Sequence, residues 1–288
     1  MFNHYIFNHL KQYVKGQDDS LRRLTVALDL HKKRIDGTGT QKENILISGP
    51  SGCGKTETIR AIKALELQCP IIEADAMAYS PSAWRGKDIE DMFTFRNVTA
   101  FAANHAIIVL DEFDKVLHLP GYSHDYQSTL LKLVEGRRLP YTLVSEDDTE
   151  EFDLCTDQML FILMGAFDGL LNQEIGFSRK TTADRGDYIS YGIMPELMGR
   201  TPVCCHYRPM TTDIMMDIML HSKKSIYREW QLRFQSIGVK LELKEGVLRK
   251  IAEDALKEKI GARGLIAVFA ERYYPVYYKA KEGDIINW

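Results

Sequence analysis

Asn44 to Ala64 reads NILISGPSGCGKTETIRAIKA, and the fold class follows from this stretch. Asn44-Ile45-Leu46-Ile47-Ser48 is a short apolar run of the kind made by a parallel strand buried on both faces. The run breaks at Gly49-Pro50-Ser51-Gly52-Cys53-Gly54-Lys55-Thr56, a full match to G-x-x-x-x-G-K-[ST]. After Lys55 the apolar residues Ile59, Ile62 and Leu65 recur at helical spacing. A strand, a glycine-rich loop and a helix in that order let consecutive backbone N–H groups curl around phosphate oxygens. The helix N-terminus adds its partial positive charge. A nucleotide is therefore expected here. Lys55 is placed for the outer phosphates, and the Thr56 hydroxyl for Mg²⁺. The candidate nucleotide contacts are Pro50, Ser51, Gly52, Cys53, Gly54, Lys55, Thr56 and Glu57.

A second stretch adds chemistry to binding. Ala106-Ile107-Ile108-Val109-Leu110-Asp111-Glu112 is an apolar strand ending in two carboxylates. Open parallel sheets bind their ligands at the carboxyl ends of the strands. Asp111 is expected to hold Mg²⁺ through its waters, and Glu112 to orient and deprotonate the water that attacks the γ-phosphate. Residues 70–75, 159–164 and 203–207 read as further strands, with helical patterns between them. The class is therefore α/β, a P-loop domain of three layers built on a parallel sheet.

Beyond Pro209 the periodicity turns mainly helical: 212–235, 247–259 and 263–278, with one strand at 239–243. The expected organisation is a large nucleotide-binding domain over 1–208 and a small α-rich lid over 209–288, with no strand after Tyr278. Near the N-terminus, 18–34 is expected to be a helix capped by Ser20, with Leu21, Leu24, Leu28 and His31 on one face. Ile89, Met92 and Phe93 suggest another helix. The acidic stretch 145–153 reads as a solvated excursion, and 171–190 as a polar, mobile segment.

With 288 residues, 45% apolar and 27% charged, the chain has the composition of an ordinary globule. A net charge of −3 argues against a nucleic-acid binder. No apolar run nears the roughly 18 residues of a membrane span, and no secretory leader is evident. Five cysteines without C-x-x-C spacing point to a reducing compartment, so a cytoplasmic protein is expected. Cys204-Cys205-His206 alternates between the two faces of a strand, which argues against joint metal ligation.

With both nucleotide motifs in place, the chain resembles the AAA+ core of the ClpX-type protein unfoldases and, more distantly, HslU. The shared blocks run from Tyr13-Val14-Lys15-Gly16-Gln17 through the P-loop and Leu110-Asp111-Glu112-Phe113-Asp114-Lys115. They continue through Leu130 to Gly136, Gly165-Ala166-Phe167 and Gly192 to Arg200, and close on Gly261-Ala262-Arg263-Gly264-Leu265. The resemblance implies hydrolysis of ATP with Mg²⁺ by a homohexamer that threads protein substrates through a central pore. It makes Arg200 the arginine finger acting on a neighbour's γ-phosphate, and Arg263 the second-sensor arginine. Val14 would line the adenine pocket. Trp84, within Ala83-Trp84-Arg85-Gly86, falls on the first pore loop and Tyr122 on the second. By residue type alone a loop Trp is a packing anchor.

The departures from the family pattern are informative. Its N-terminal zinc domain is expected to be absent. Where the family carries a basic pore-entrance loop, this chain has Glu146, Asp147, Asp148, Glu150, Glu151 and Asp153. Ile175-Gly176-Phe177 matches the tripeptide that docks a ClpP-like peptidase, but on a shortened loop. The 159–164 strand ends without a polar sensor residue. The rival readings are an accessory AAA+ ATPase that loads or disassembles nucleoprotein complexes without a peptidase, and a scaffold that holds nucleotide without turnover.

Overall fold

A computed structural model of the chain describes residues 2–39, 41–80, 87–144, 149–171 and 182–287. The chain forms two compact units, each discontinuous in sequence. The first comprises 1–6, 19–49 and 63–206, and the second 7–18, 50–62 and 207–288.

The first unit is built on five parallel strands: β1 (Ile45–Ser48), β2 (Ile71–Asp75), β3 (Ile107–Asp111), β4 (Leu160–Gly165) and β5 (Val203–His206). Their order is β2-β3-β4-β1-β5. The register sets Ser48 beside Gly165 and His206, and Asp75 beside Asp111. All five carboxyl ends therefore share one edge. The central strands β1 and β4 are buried at every position, so they are apolar throughout rather than alternating.

On one face Leu46, Ile108, Leu110, Phe161 and Leu163 share a core with Tyr126, Leu130 and Leu133 of the helix Ser123–Glu135. The helix Asp18–Ile35 is tied to the strands by side-chain bonds. The Ser20 hydroxyl donates to His206 O at 2.9 Å, and Arg23 Nη1 donates to Cys204 O at 3.1 Å. Helices and sheet make the expected three-layer α/β arrangement.

Several local expectations are corrected. The helix starts at Asp18, so Ser20 lies inside its first turn and bonds a strand instead of capping. Residues Phe2–Tyr13 form a helix where none was expected, with Ile6 and Leu10 buried one turn apart. Ile89–Met92 is a single 3-10 turn. The acidic stretch belongs in part to an antiparallel hairpin, Arg138–Val144 with Thr149–Cys155. Its Leu139, Leu143 and Leu154 are buried while Glu150, Glu151 and Asp153 are exposed. Pro140 and the run of acids mask this alternation in the sequence. Arg185–Tyr191, which overlaps the end of the stretch read as mobile, is a helix with an Asp184/Asp187 capping box.

Beyond residue 207 the second unit carries, among the described residues, the helices Thr212–His221, Ile226–Gln235, Glu245–Lys257 and Arg263–Lys279. The single helix expected over 212–235 is two, because the Ser225 hydroxyl accepts from Arg228 N at 3.1 Å and starts a new N-terminus. Met215, Trp230, Phe234, Ile251, Phe269 and Tyr273 form the core. A short strand Ile285–Asn287 pairs in parallel with Lys240–Glu242, contrary to the expectation of none beyond Tyr278. Only Ile286 of its three residues is buried, which is too little pattern to read. Among the described residues no helix is long and apolar enough to cross a membrane.

Candidate functional site

In the first unit the sheet edge carries the carboxylates. Asp111 closes β3 and its Oδ1 accepts the Glu112 N–H at 2.8 Å. Glu112 sits in the left-handed region at φ +57°, a conformation disfavoured for a side chain of this kind. Its carboxylate is half exposed and pairs with Lys115 Nζ at 2.7 Å, and this contact raises the Lys115 pKa. The turn therefore aims Glu112 away from the buried end of the strand.

Asp114, which the motif reading left without a role, is buried, and its Oδ2 accepts the Phe167 N–H at 3.0 Å. A Cβ built on Gly165, at the end of β4, would lie 2.4 Å from Asp114 Oδ1. A glycine is required there because Asp114 already fills the space where that strand ends. This accounts for the missing polar residue at the end of 159–164. The available signal was the second acid of Asp-Glu-Phe-Asp.

Arg200 follows the short helix Pro195–Gly199. It is bonded to neither Asp111 nor Glu112. Its Nε and Nη2 both donate to Glu135 Oε1, at 3.0 and 2.9 Å, and the pair is solvent-exposed. Tyr122 is half buried, and its hydroxyl donates to Tyr79 O. Tyr79 precedes the segment that carries Trp84, and Trp84 itself lies outside the described residues, as do Ile175-Gly176-Phe177 and Glu146-Asp147-Asp148.

Ser48, the last residue of β1, is fully buried and sits between Tyr188 OH at 2.6 Å and His206 Nδ1 at 2.9 Å. From there the chain enters the glycine loop.

In the second unit the loop leads into the helix Lys55–Lys63, of which Thr58, Ile59, Ala61 and Ile62 are buried. Lys55 Nζ lies over the loop and donates to Pro50 O at 3.1 Å, while Thr56 is exposed. Gly52 takes φ +71°, and a Cβ there would lie 2.1 Å from Ile260 O. Its carbonyl accepts the Ala262 N–H at 3.0 Å, one residue before Arg263. Arg263 opens its helix with an exposed guanidinium. Val14 is buried against Gly54, where an added Cβ would meet Val14 Cγ1 at 3.3 Å.

Gln17 is buried and works as a clamp. Its amide nitrogen donates to Arg208 O at 2.9 Å and Cys53 O at 3.4 Å, and its amide oxygen accepts Arg208 N–H at 2.9 Å. Thus Val14, the glycine loop and the segment before Arg263 are brought together. Positive-φ glycines, a lysine and a helix N-terminus form a cradle suited to phosphate.

The family model for the AAA domain (Cdc48 subfamily) matches residues 40–204. Among curated relatives, the ATP-dependent Clp protease ATP-binding subunit ClpX of Bacteroides fragilis is 33% identical over 97% of this chain and 77% of its own length. The Porphyromonas gingivalis ClpX subunit is 30% identical over 90% of this chain and 73% of its own. A ClpX subunit of Wolinella succinogenes is 32% identical over 95% and 76%. With a P-loop cradle, two carboxylates at the sheet edge and this similarity along nearly its whole length, the chain belongs to the ClpX family of AAA+ ATPases.

Proposed function

We propose that this chain is the subunit of a ring, a homohexamer, in which ATP hydrolysis between neighbours pulls protein substrates through a central pore. The observation that carries it is the sheet edge. β1, which runs into the phosphate loop, and β3, which ends on Asp111 and Glu112, are parallel members of one sheet with their carboxyl ends together.

In this reading Pro50 to Glu57 and Val14 hold the nucleotide, with Lys55 on the outer phosphates and Thr56 and Asp111 around Mg²⁺. Bound Mg·ATP supplies the phosphoryl group that is transferred. Glu112 takes the proton of the attacking water. Arg200 serves the neighbour, which its exposed position and lack of any bond to its own Asp111 or Glu112 support. Arg263 reports from a lid over 209–288 to the large domain over 1–208. Trp84 and Tyr122 contact the polypeptide in transit. Ile175-Gly176-Phe177 docks a ClpP-like peptidase. The five unpaired cysteines suit action in the cytoplasm.

The test combines assembly and work. Purified protein with ATP should run as a hexamer, its ATPase should rise with unfolded polypeptide, and it should unfold a tagged reporter. A monomer at saturating nucleotide, or stimulation by DNA in place of polypeptide, would sink the proposal. The DNA outcome would favour a nucleoprotein accessory. Adding a ClpP-type peptidase then tests docking: an uncut reporter removes the peptidase from the scheme.

A further inference from the structure

The lead-in to β1 carries two side chains that the nucleotide chemistry above does not use, Lys42 and Asn44. Asn44 is 2% exposed, and its amide bonds two separate elements. Nδ2 donates to Arg200 O at 2.8 Å, and Oδ1 accepts the Phe161 N–H of β4 at 3.0 Å. The backbone of the arginine is thereby fastened, through the residue before β1, to the second residue of β4. A second bond acts two residues earlier, where Arg185 Nη2 donates to Met198 O.

The guanidinium end is held separately. Glu135, the last residue of the helix Ser123–Glu135, receives both Nε and Nη2 on one oxygen. That leaves Nη1 directed away from the pair, because guanidinium donors lie in a rigid plane. Lys42 steadies the other partner. Its Nζ donates to Val134 O and to Thr156 O, each at 2.8 Å, so a side-chain donor caps the C-terminal turn of the helix, next to Glu135.

We infer that Glu135, together with Asn44 behind the backbone, is a positioning device for Arg200: it presents Nη1 outward for a phosphate on the adjacent subunit. This rests on the assignment of Arg200 as the arginine finger. Glu135 touches no substrate and acts only through the arginine. Two of the holding groups, Lys42 and Asn44, stand within three residues of β1. The strand entering one subunit's phosphate loop is thereby coupled to the group that subunit lends to its neighbour.

The test is steady-state ATP turnover by the full-length protein. Arg200→Ala comes first, with an expected loss of at least about 100-fold in kcat. Glu135 is exposed, so Glu135→Ala should fold normally; kcat should fall about tenfold while KM for ATP stays within about twofold, as expected for a misaimed transition-state contact. Glu135→Gln keeps an acceptor for Nε and should recover part of that loss. In the Arg200→Ala background Glu135→Ala should cost nothing more. Asn44→Ala should show the same kcat-only defect if its melting transition is retained.

Wild-type kcat in Glu135→Ala beside an inactive Arg200→Ala would overturn the positioning role and leave the finger assignment standing. Undiminished turnover in Arg200→Ala would overturn both.

Discussion

Glu112, the proposed base, departs from what the backbone favours. At φ +57° it occupies a region that costs a non-glycine residue about 1–2 kcal/mol. Retention of that strain fits the proposal that the residue is kept for its chemistry. Glu112→Gln keeps the shape and removes the base, so ATP binding should persist while kcat falls at least about 100-fold. Fluorescent-nucleotide binding and phosphate release check the two halves. Glu112→Asn should be equally inactive but up to about 1 kcal/mol more stable, because Asn tolerates this conformation; urea unfolding reads the difference.

His31 makes the opposite case, a titratable group kept for packing. It is 2% exposed, with its Nε2 on His105 O at 2.9 Å and Cys69 Sγ at 3.9 Å. Burial, with the charges of Arg34, His105 and Lys42, lowers its pKa from 6.5 to about 3. Between those values the unfolded chain binds the proton and the folded one does not. Stability therefore falls as pH drops from 6.5 toward 3, by up to about 1.4 kcal/mol per unit. His31→Gln should lose that share of the slope in unfolding curves taken at pH 6, 5 and 4. An unchanged slope would assign the acid sensitivity elsewhere.

Elements divide by how much of their pattern is local. The run Asn44 to Ala64 and the strand ending in Asp111-Glu112 were legible because a motif and an apolar stretch coincide there. The 138–144 and 149–155 hairpin was not, since its buried Leu139, Leu143 and Leu154 alternate with Pro140 and acids. The terminal strand Ile285–Asn287 offers one buried side chain, which no periodicity can reveal. Of the candidate site, the sequence offered the charged residues in motifs, while the groups that hold the loop, Arg200 and the end of β4 in place (Gln17, Asn44, Asp114 and Glu135) carry no such signal. Each acts through a partner distant in sequence, and spacing carries no information about that partner.

The glycine loop adds a further constraint at this scale. Ile260 O stands 2.1 Å from where a Gly52 Cβ would lie, and Gly52 O accepts the Ala262 N–H at 3.0 Å. Gly52→Ala therefore meets backbone, which cannot rotate aside, and also meets a positive φ. Nucleotide affinity should drop at least about tenfold with a loss of about 1–3 kcal/mol in stability. Isothermal titration and thermal melting check this. Near-normal binding would show that the segment before Arg263 does not lean on the loop in solution.

At the scale of the whole molecule, the proposed ring raises the question of which subunit completes which site. Arg200 lies on the surface in a pair with Glu135, and Glu112 pairs with Lys115. If the arginine acts across a boundary, two separately dead proteins should revive each other. Lys55→Ala subunits lose their own nucleotide but still offer Arg200, and Arg200→Ala subunits keep a nucleotide site that lacks only a neighbour's cation. In a randomly mixed 1:1 ring, about a quarter of the head-to-tail interfaces join a sound nucleotide site to a sound arginine. ATPase in the mixture should then reach a substantial fraction of wild type, while each parent stays near background. Adding Glu135→Ala to the Lys55→Ala partner should weaken the rescue; adding it to the Arg200→Ala partner should leave the rescue intact, because that subunit's arginine is already gone. Rescue indifferent to which partner carries the change would mean that Glu135 does not act through Arg200, and no rescue at all would mean that Arg200 acts within its own subunit.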